Sequence, residues 1–200
     1  MQYIMQSIQS EHTENILSGK KTIEIRTTKP NIELPCEVYI YCTKGGKVLT
    51  TKTPKGEDRK LNGKVVAKYT LNTIDEYPYI EFDSNGLRNY LIKNDELKRT
   101  CITYEQMCKY GKKKKLYGWN IDNLIIFENP EMLMAFRKEC KDKHRYCPCC
   151  KHGYISYGED TTKEDIAEGG VDTEWFCCNW VKKPPQSWFY VQELKKQYKE

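Results

Sequence analysis

Long apolar segments are missing from this 200-residue sequence. Hydrophobic residues make up 38% of the chain and charged residues 30%, and no run approaches the roughly 18 apolar residues that a membrane helix requires. The first residues, Met1 to Ser7, have neither the basic flank nor the apolar segment of a secretory signal. We therefore expect a cytoplasmic protein that has no membrane partner.

A strong excess of charge of either sign is also missing. The 33 Lys and Arg residues exceed the 28 Asp and Glu residues by only five, which is compatible with a polyanionic partner but does not require one. The charge is unevenly placed, because residues 109–115 contain five lysines and no acid. Lys113 and Lys114 are candidate phosphate contacts, since neutralising each phosphate releases counterions. A solvated loop tip is the alternative explanation of such a run.

Internal repeats and low-complexity tracts are absent as well, so the local patterns must be interpreted one by one. Alternating short strand and helix signals predict an α+β protein. Strands are predicted over residues 2–8, 21–27, 37–43 and 64–74. Residues 116–127 are predicted as one bent strand or two short ones, ended by Asn129 and Pro130. Helices are predicted over residues 10–18, with a serine cap and a glycine stop, and over 84–92, 103–111 and 132–140.

The most informative segment is 18–26, Ser-Gly-Lys-Lys-Thr-Ile-Glu-Ile-Arg. Alternation along a strand places Ile23 and Ile25 on one face and Glu24 and Arg26 on the other. The same alternation places Lys21 and Glu24 on opposite faces unless a bulge intervenes. Opposite charges this close together can line a cleft for a polar ligand. The alternative is an ordinary strand with a solvated face.

The spacing of Gly19, Lys21, Glu24 and Arg26 after the first helix resembles the Gly-x-Lys-x-x-Glu-x-Arg signature of the ASCH (activating signal cointegrator homology) family. Later segments resemble the family's subsequent barrel strands in the same order, namely residues 37–43, 63–68, 117–123 and 184–191. The resemblance implies a PUA-like β-barrel with short flanking helices over residues 1–130. Residues 131–182 would then be a helix with a cysteine-rich insertion, and 183–200 the last barrel strand and a tail.

The resemblance also implies a cleft that binds RNA or a modified nucleotide, lined by Lys21, Glu24 and Arg26. Lys21 and Arg26 would donate to phosphate or base acceptors, and Glu24 would accept from an amino or ribose hydroxyl group. Exposed tyrosines or Trp119 could stack on a base.

Two other functions remain open. Some relatives act as amidohydrolases on acetylated cytidine or as ribonucleases, and their catalytic lysine falls on Lys21, which Glu24 could assist in acid–base work. Those amidohydrolases carry a threonine nucleophile two residues before the arginine, where this chain has Glu24, so the threonine mechanism does not transfer. The third possibility is a protein-interaction adaptor built on the same scaffold.

Ten cysteines in a chain without an export signal argue against a disulfide framework. Cys36, Cys42, Cys101 and Cys108 are expected to be small packed hydrophobes. The other six crowd between residues 140 and 178.

The cysteine-rich insertion contains Cys147-Pro-x-Cys150 followed by glycine, a spacing typical of a zinc knuckle. We predict a structural zinc held by Cys140, Cys147, Cys150 and Cys178. The adjacent pair at 177 and 178 lacks the second Cys-x-x-Cys spacing, so packed thiols without metal are the alternative. A redox pair of Cys147 with Cys150 is a further alternative.

Overall fold

The structure is a computed structural model that describes residues 3–81, 88–138 and 181–194. No helix in these ranges has the length and apolar content to cross a membrane. In chain order the elements are β1 (Tyr3–Ile8), α1 (Ser10–Leu17), β2 (Ile23–Arg26), β3 (Cys36–Cys42), β4 (Thr50–Lys52), β5 (Asp58–Lys60), β6 (Lys64–Leu71), β7 (Ile74–Tyr77), β8 (Tyr79–Glu81), β9 (Arg88–Tyr90), α2 (Asn94–Thr100), α3 (Tyr104–Gly111), β10 (Leu116–Asn120), β11 (Asp122–Met132), a 3₁₀ turn (Leu133–Ala135) and β12 (Trp188–Val191).

Two sheets form the frame. The larger has the order β11-β6-β3-β1-β12, in which β1 and β3 are parallel and the other neighbours antiparallel. The smaller is antiparallel, with the order β2-β10-β7. Strands β4 with β5 and β8 with β9 form two hairpins. The α+β prediction is confirmed. The barrel prediction is not met by the described strands, because β11 and β12 form the edges of the larger sheet and do not pair with the smaller one.

The main hydrophobic core follows the alternation of side chains along each strand. Ile4 and Ile8 of β1 and Val38 of β3 lie in one buried cluster with Trp119 of β10. The intervening Met5 packs in a second cluster on the other side of the larger sheet.

A third cluster contains Ile23 and Ile25 of β2 with Met107 of α3 and Leu116 of β10. The two isoleucines therefore share a core-facing side of β2, as predicted. The smaller sheet consequently has one apolar side against the helices.

The isolated cysteines behave as expected where they are most buried. Cys36 and Cys42 are fully buried, whereas Cys101 and Cys108 are half-buried, and all four are free thiols. Burial raises the pKa of the Cys36 thiol to about 11.

Helix ends confirm the glycine signals but not the serine cap. Gly19 follows α1 with a φ of +75°, a conformation that favours glycine. Ser10, however, is the first residue of α1, and its hydroxyl donates to the Gly45 carbonyl at 3.4 Å. The helix predicted over residues 103–111 is α3, and a capping box between Thr103 and Gln106 begins it.

Three local predictions are wrong. Residues 88–90 of the predicted helix 84–92 form strand β9 and pair with β8, while residues 82–87 lie outside the described ranges. Strand β11 continues past Pro130 because the proline falls in a register shift between Ile126 and Glu131, where no ladder donor is needed. The helix predicted from 132 is only the 3₁₀ turn Leu133–Ala135 within the described part, which ends at residue 138.

Candidate functional site

Lys21, Glu24 and Arg26 converge on one point. The Glu24 carboxylate lies 3.2 Å from Lys21 Nζ through Oε2 and 3.1 Å from Arg26 Nη2 through Oε1. Lys21 Nζ also donates to the Thr100 carbonyl at 2.5 Å. The three residues are only 2%, 6% and 7% exposed, in chain order. The polar residues of the signature therefore form a buried ionic triad, and the alternative of a solvated strand face is wrong.

The expected separation of Lys21 and Glu24 is also wrong, because β2 begins only at Ile23. Lys21 belongs to the turn that follows Gly19. Its backbone N–H donates to the Asn15 carbonyl at 2.9 Å, which ties this turn to α1. Strand alternation does not apply to a residue outside the strand, so the lysine side chain is free to turn towards the carboxylate.

Strand pairing places the triad between the two sheets. Glu24 is opposite Trp119 and Arg26 is opposite Tyr117 in the β2–β10 ladder. Opposite residues project to the same side of a sheet. Trp119 belongs to the main core cluster and is fully buried. It therefore cannot stack on an external base in this structure, contrary to the suggestion from sequence.

The larger sheet contributes further polar groups to this interior. Arg26 Nη2 donates to the Ser7 carbonyl of β1 at 2.7 Å, and its Nη1 donates to Ser187 Oγ at 3.3 Å. Gln6 of β1 is fully buried, and its Oε1 accepts from the hydroxyl of buried Tyr69 at 3.1 Å. We call the group Gln6, Lys21, Glu24, Arg26 and Tyr69 the interior polar cluster.

Several polar atoms in and beside this cluster have no hydrogen-bond partner. In the described part of the chain six buried side-chain atoms lack a hydrogen bond, and among them are Gln6 Nε2 and Arg26 Nε. Glu24 Oε2 is also among them, since its 3.2 Å contact with Lys21 Nζ is an ion pair that leaves the oxygen able to accept a hydrogen bond. His12 Nδ1, on α1, is another. Buried polar groups nearly always find partners, so a water molecule or a ligand would be expected to pair with these atoms. These atoms include two donors, Gln6 Nε2 and Arg26 Nε, and one acceptor, Glu24 Oε2.

Electrostatics favour the ionised triad. Burial alone would raise the pKa of Glu24, but the charges of Lys21 and Arg26 outweigh burial and hold that pKa below its ordinary value. Burial, together with the nearby Glu24 charge, raises the pKa of Tyr69 well above its ordinary range. Tyr69 is therefore a neutral hydroxyl. The triad contains two cations and one anion, so it retains a net positive charge inside the protein.

His12 gives this region a dependence on pH. Burial and the charge of Lys21 lower the pKa of His12 from 6.5; Arg26 also lowers it, while Glu24 and Glu11 act in the opposite direction. The folded protein therefore holds His12 neutral where the unfolded chain would protonate it. We expect the stability of the wild type to fall as the pH drops below 6.5.

The measurement is thermal unfolding of the wild type and His12→Gln between pH 7 and about pH 5.5, a range that separates histidine titration from that of carboxylates. The wild type should lose more stability than the variant over this range. Parallel losses in the two proteins would show that His12 is not responsible. Glu24 does not interfere, because the stability that depends on its lowered pKa is lost only below 4.5.

Lys113 and Lys114, the predicted phosphate contacts, are both exposed, in the turn after α3. Lys114 precedes Tyr117, the residue opposite Arg26, by three positions, which is roughly 10 Å along an extended chain. The neighbouring Lys115 is paired with Glu76 at 2.8 Å. The lysine turn is thus a separate surface on the side of the protein where β2 ends.

The predicted zinc ligands Cys140, Cys147, Cys150 and Cys178 lie outside the described residues, and so does the alternative redox pair. Within residues 3–81, 88–138 and 181–194 there is no group of three or more residues suited to hold a metal ion. Structural zinc in the insertion stays a prediction.

Gln6, His12 and Tyr69 were not predicted as site residues. Gln6 carried a signal, because it lies between Ile4 and Ile8 at a core-facing position of β1. A polar residue at such a position requires a buried partner. The sequence around His12 and Tyr69 has no comparable irregularity.

Comparison with known proteins finds similar solved structures but no similar sequence family. No protein-family model matches the sequence, and no curated protein matches it. Among solved structures, the ASCH protein of Zymomonas mobilis is 17% identical, covers 96% of this chain and 88% of its own, and has a TM-score of 0.46. A serine-to-alanine mutant of it covers 96% and 89% at 17% identity with a TM-score of 0.50. A tyrosine-to-phenylalanine mutant covers 66% and 77% at 20% identity with a TM-score of 0.44.

Identities this low concern the fold and not the function of this chain. The similarity at a TM-score of 0.50 extends over 96% of this chain. The chain has the fold of an ASCH domain.

Proposed function

We propose that this protein is an ASCH-domain protein that binds RNA or a nucleotide through the interior polar cluster. The observation that carries the proposal is the pair of unpartnered donors, Gln6 Nε2 and Arg26 Nε, beside a buried triad of net positive charge in which Glu24 Oε2 makes an ion pair but no hydrogen bond. A ligand rich in acceptors and bearing at least one donor would complete these groups.

The burial of the cluster supports selective binding. Arg26 is held by Glu24, Ser7 and Ser187, so its remaining Nε donor has a fixed direction. A ligand that fails to pair such a group leaves it buried and unsatisfied, at a cost of about 1–3 kcal/mol. Sites of this kind reject ligands that lack the matching polar atom.

The lysine turn would serve a longer ligand. Lys113 and Lys114 are exposed in the turn after α3, and they would contact phosphates of an RNA strand that extends beyond the bound nucleotide. Such contacts position the strand without reading its sequence. A mononucleotide would not need them.

The test uses two probes, the four nucleoside 5′-monophosphates and a pool of fluorescein-labelled single-stranded RNA. Arg26→Lys retains the positive charge beside Glu24 but removes Nε and one arm of the guanidinium. We expect it to weaken binding of both probes about 10-fold or more, since a hydrogen bond to a charged group contributes about 1.5–3 kcal/mol. Lys47→Ala is the matched control, because Lys47 is exposed and pairs only with Glu14.

The double variant Lys113→Ala, Lys114→Ala should weaken RNA binding alone and reduce its salt dependence between 50 and 200 mM, by up to about two units of slope. A folded wild type that binds neither the nucleotides nor the RNA pool would overturn the proposal.

Hydrolysis of a modified nucleoside or of RNA is the second candidate, and the 3.2 Å contact of Lys21 with Glu24 favours it. A contacting lysine and carboxylate can exchange a proton with a bound substrate. Thr22 is not part of that arrangement, since its hydroxyl accepts from Arg99 Nε at 2.9 Å on the other side of the turn. Chromatography of the binding samples, with acetylated cytidine added, separates the two functions: converted product would indicate an enzyme.

A further inference from the structure

The carboxamide of Gln6 is held in one orientation. Its Oε1 accepts from the Tyr69 hydroxyl at 3.1 Å, and both residues are fully buried. Gln6 lies on β1 and Tyr69 on β6, which are separated in the larger sheet by β3. The contact is therefore made across the interior face of the sheet.

This contact decides which end of the amide remains available. A carboxamide has an acceptor end and a donor end, and a neutral tyrosine can donate to the first. With Oε1 occupied, Nε2 is left as a buried donor that has no partner. Without the Tyr69 hydroxyl the amide could rotate and present its oxygen instead.

We propose that Gln6 is a specificity-determining residue of the interior site and that Tyr69 is the positioning residue that makes it a donor. The inference rests on the proposed nucleotide-binding function. The bound ligand would then present an acceptor, such as a carbonyl oxygen, to Gln6 Nε2.

Two other atoms extend the pattern. Arg26 Nε is a second unpartnered donor, and Glu24 Oε2, which contacts Lys21 Nζ at 3.2 Å, keeps a lone pair that can accept. The three protein groups would therefore complement an edge that has two acceptors and one donor. The pairing edge of uracil has two carbonyl oxygens and one N–H. That of cytosine has a carbonyl oxygen, a ring nitrogen and an amino group. Guanine offers one acceptor with two donors, and adenine one of each. Pyrimidine nucleotides are therefore expected to bind better than purine nucleotides.

The experiment measures the affinity of all four nucleoside 5′-monophosphates for the wild type, Gln6→Met and Tyr69→Phe, with thermal unfolding to verify that each variant is folded. Methionine keeps the length of the glutamine side chain and removes its donor. Gln6→Met should weaken pyrimidine binding about 10-fold, and Tyr69→Phe should reduce the preference of pyrimidine over purine by a similar factor, because the first change removes the buried donor and the second leaves its orientation unfixed.

A measurement on the wild type keeps the test independent of variant folding. The side-chain amide signals of Gln6 in an NMR spectrum should shift on saturation with uridine 5′-monophosphate. Unchanged Gln6 signals at saturation, or equal weakening of all four nucleotides in both variants, would overturn the role of Gln6 while leaving the binding function intact. A wild type that binds none of the four overturns the role of Gln6, and one that also fails to bind the RNA pool overturns both proposals.

Discussion

Replacing Glu24 with alanine should lower the free energy of unfolding by about 3–5 kcal/mol, the usual result of removing one partner from a buried ion pair. Lys21 and Arg26 are 2% and 7% exposed and would both lose their only carboxylate contact in the described structure. The two cations would then repel each other in a site from which water is largely excluded. Neither can move to solvent without breaking its hydrogen bond to a backbone carbonyl, that of Thr100 or of Ser7.

Urea denaturation followed by tryptophan fluorescence measures this loss. Glu14→Ala is the matched control, because Glu14 pairs with Lys47 at 2.8 Å on the surface. Exposed pairs contribute about 0–1 kcal/mol. If the two variants lost similar free energies, the triad would not be the buried ionic network that its burial indicates.

A triple variant, Lys21→Met, Glu24→Leu and Arg26→Met, separates stability from function. Replacing a whole buried ionic group with apolar residues is often neutral or stabilising. We expect this protein to remain folded and to lose nucleotide binding entirely. That combination would show that the ionic group serves a ligand and not the fold.

The signature segment illustrates how far the sequence alone could lead. Alternation predicted correctly that Ile23 and Ile25 would share the apolar side of β2 and that Glu24 and Arg26 would share the other. It failed at Lys21 because the strand starts two residues later. The starting residue depends on backbone contacts of the turn with the Asn15 and Arg99 carbonyls. The second of these partners is distant in sequence and could not be inferred from local pattern.

Long-range pairing also explains the other errors. Residues 88–90 have no strong strand signal of their own and are extended because they pair with β8. Helix α2, Asn94–Thr100, was not predicted, since Leu97 is its only large apolar residue. Its helical form is supported by the Glu96 carboxylate, which accepts from the Lys93 backbone N–H at 3.4 Å, and by its packing on β2.

Only part of the interior polar cluster could be predicted from the sequence. The signature supplied Lys21, Glu24 and Arg26, and the position of Gln6 between two core isoleucines indicated a buried polar group. Its partner Tyr69 lies 63 residues away. Only the pairing order of β1, β3 and β6 brings the two together, and no local pattern specifies that order.

Trp119→Ala should be the second most damaging change, with a loss of about 3–5 kcal/mol, as is typical for removal of a large buried aromatic side chain. Trp119 is fully buried, its ring lies 5.8 Å from that of Trp188, and its Nε1 donates to the Thr28 carbonyl at 3.3 Å. It is also the residue opposite Glu24. The cavity would therefore open beside the triad as well as in the apolar core.

Thermal and urea unfolding of Trp119→Ala and Tyr190→Ala provide the comparison. Tyr190 packs edge-on against Trp188 in the same row of aromatic rings, but it is 38% exposed. Its loss should therefore cost only about 1 kcal/mol, since aromatic pairs contribute about 0.5–1.5 kcal/mol beyond area burial. Trp119→Phe should retain most of the packing and fall between the two. Similar losses for Trp119→Ala and Tyr190→Ala would mean that the ring of Trp119 does not close the space between the sheets. The larger loss at Trp119 would instead show that its ring completes the core between the two sheets, next to the ionic triad.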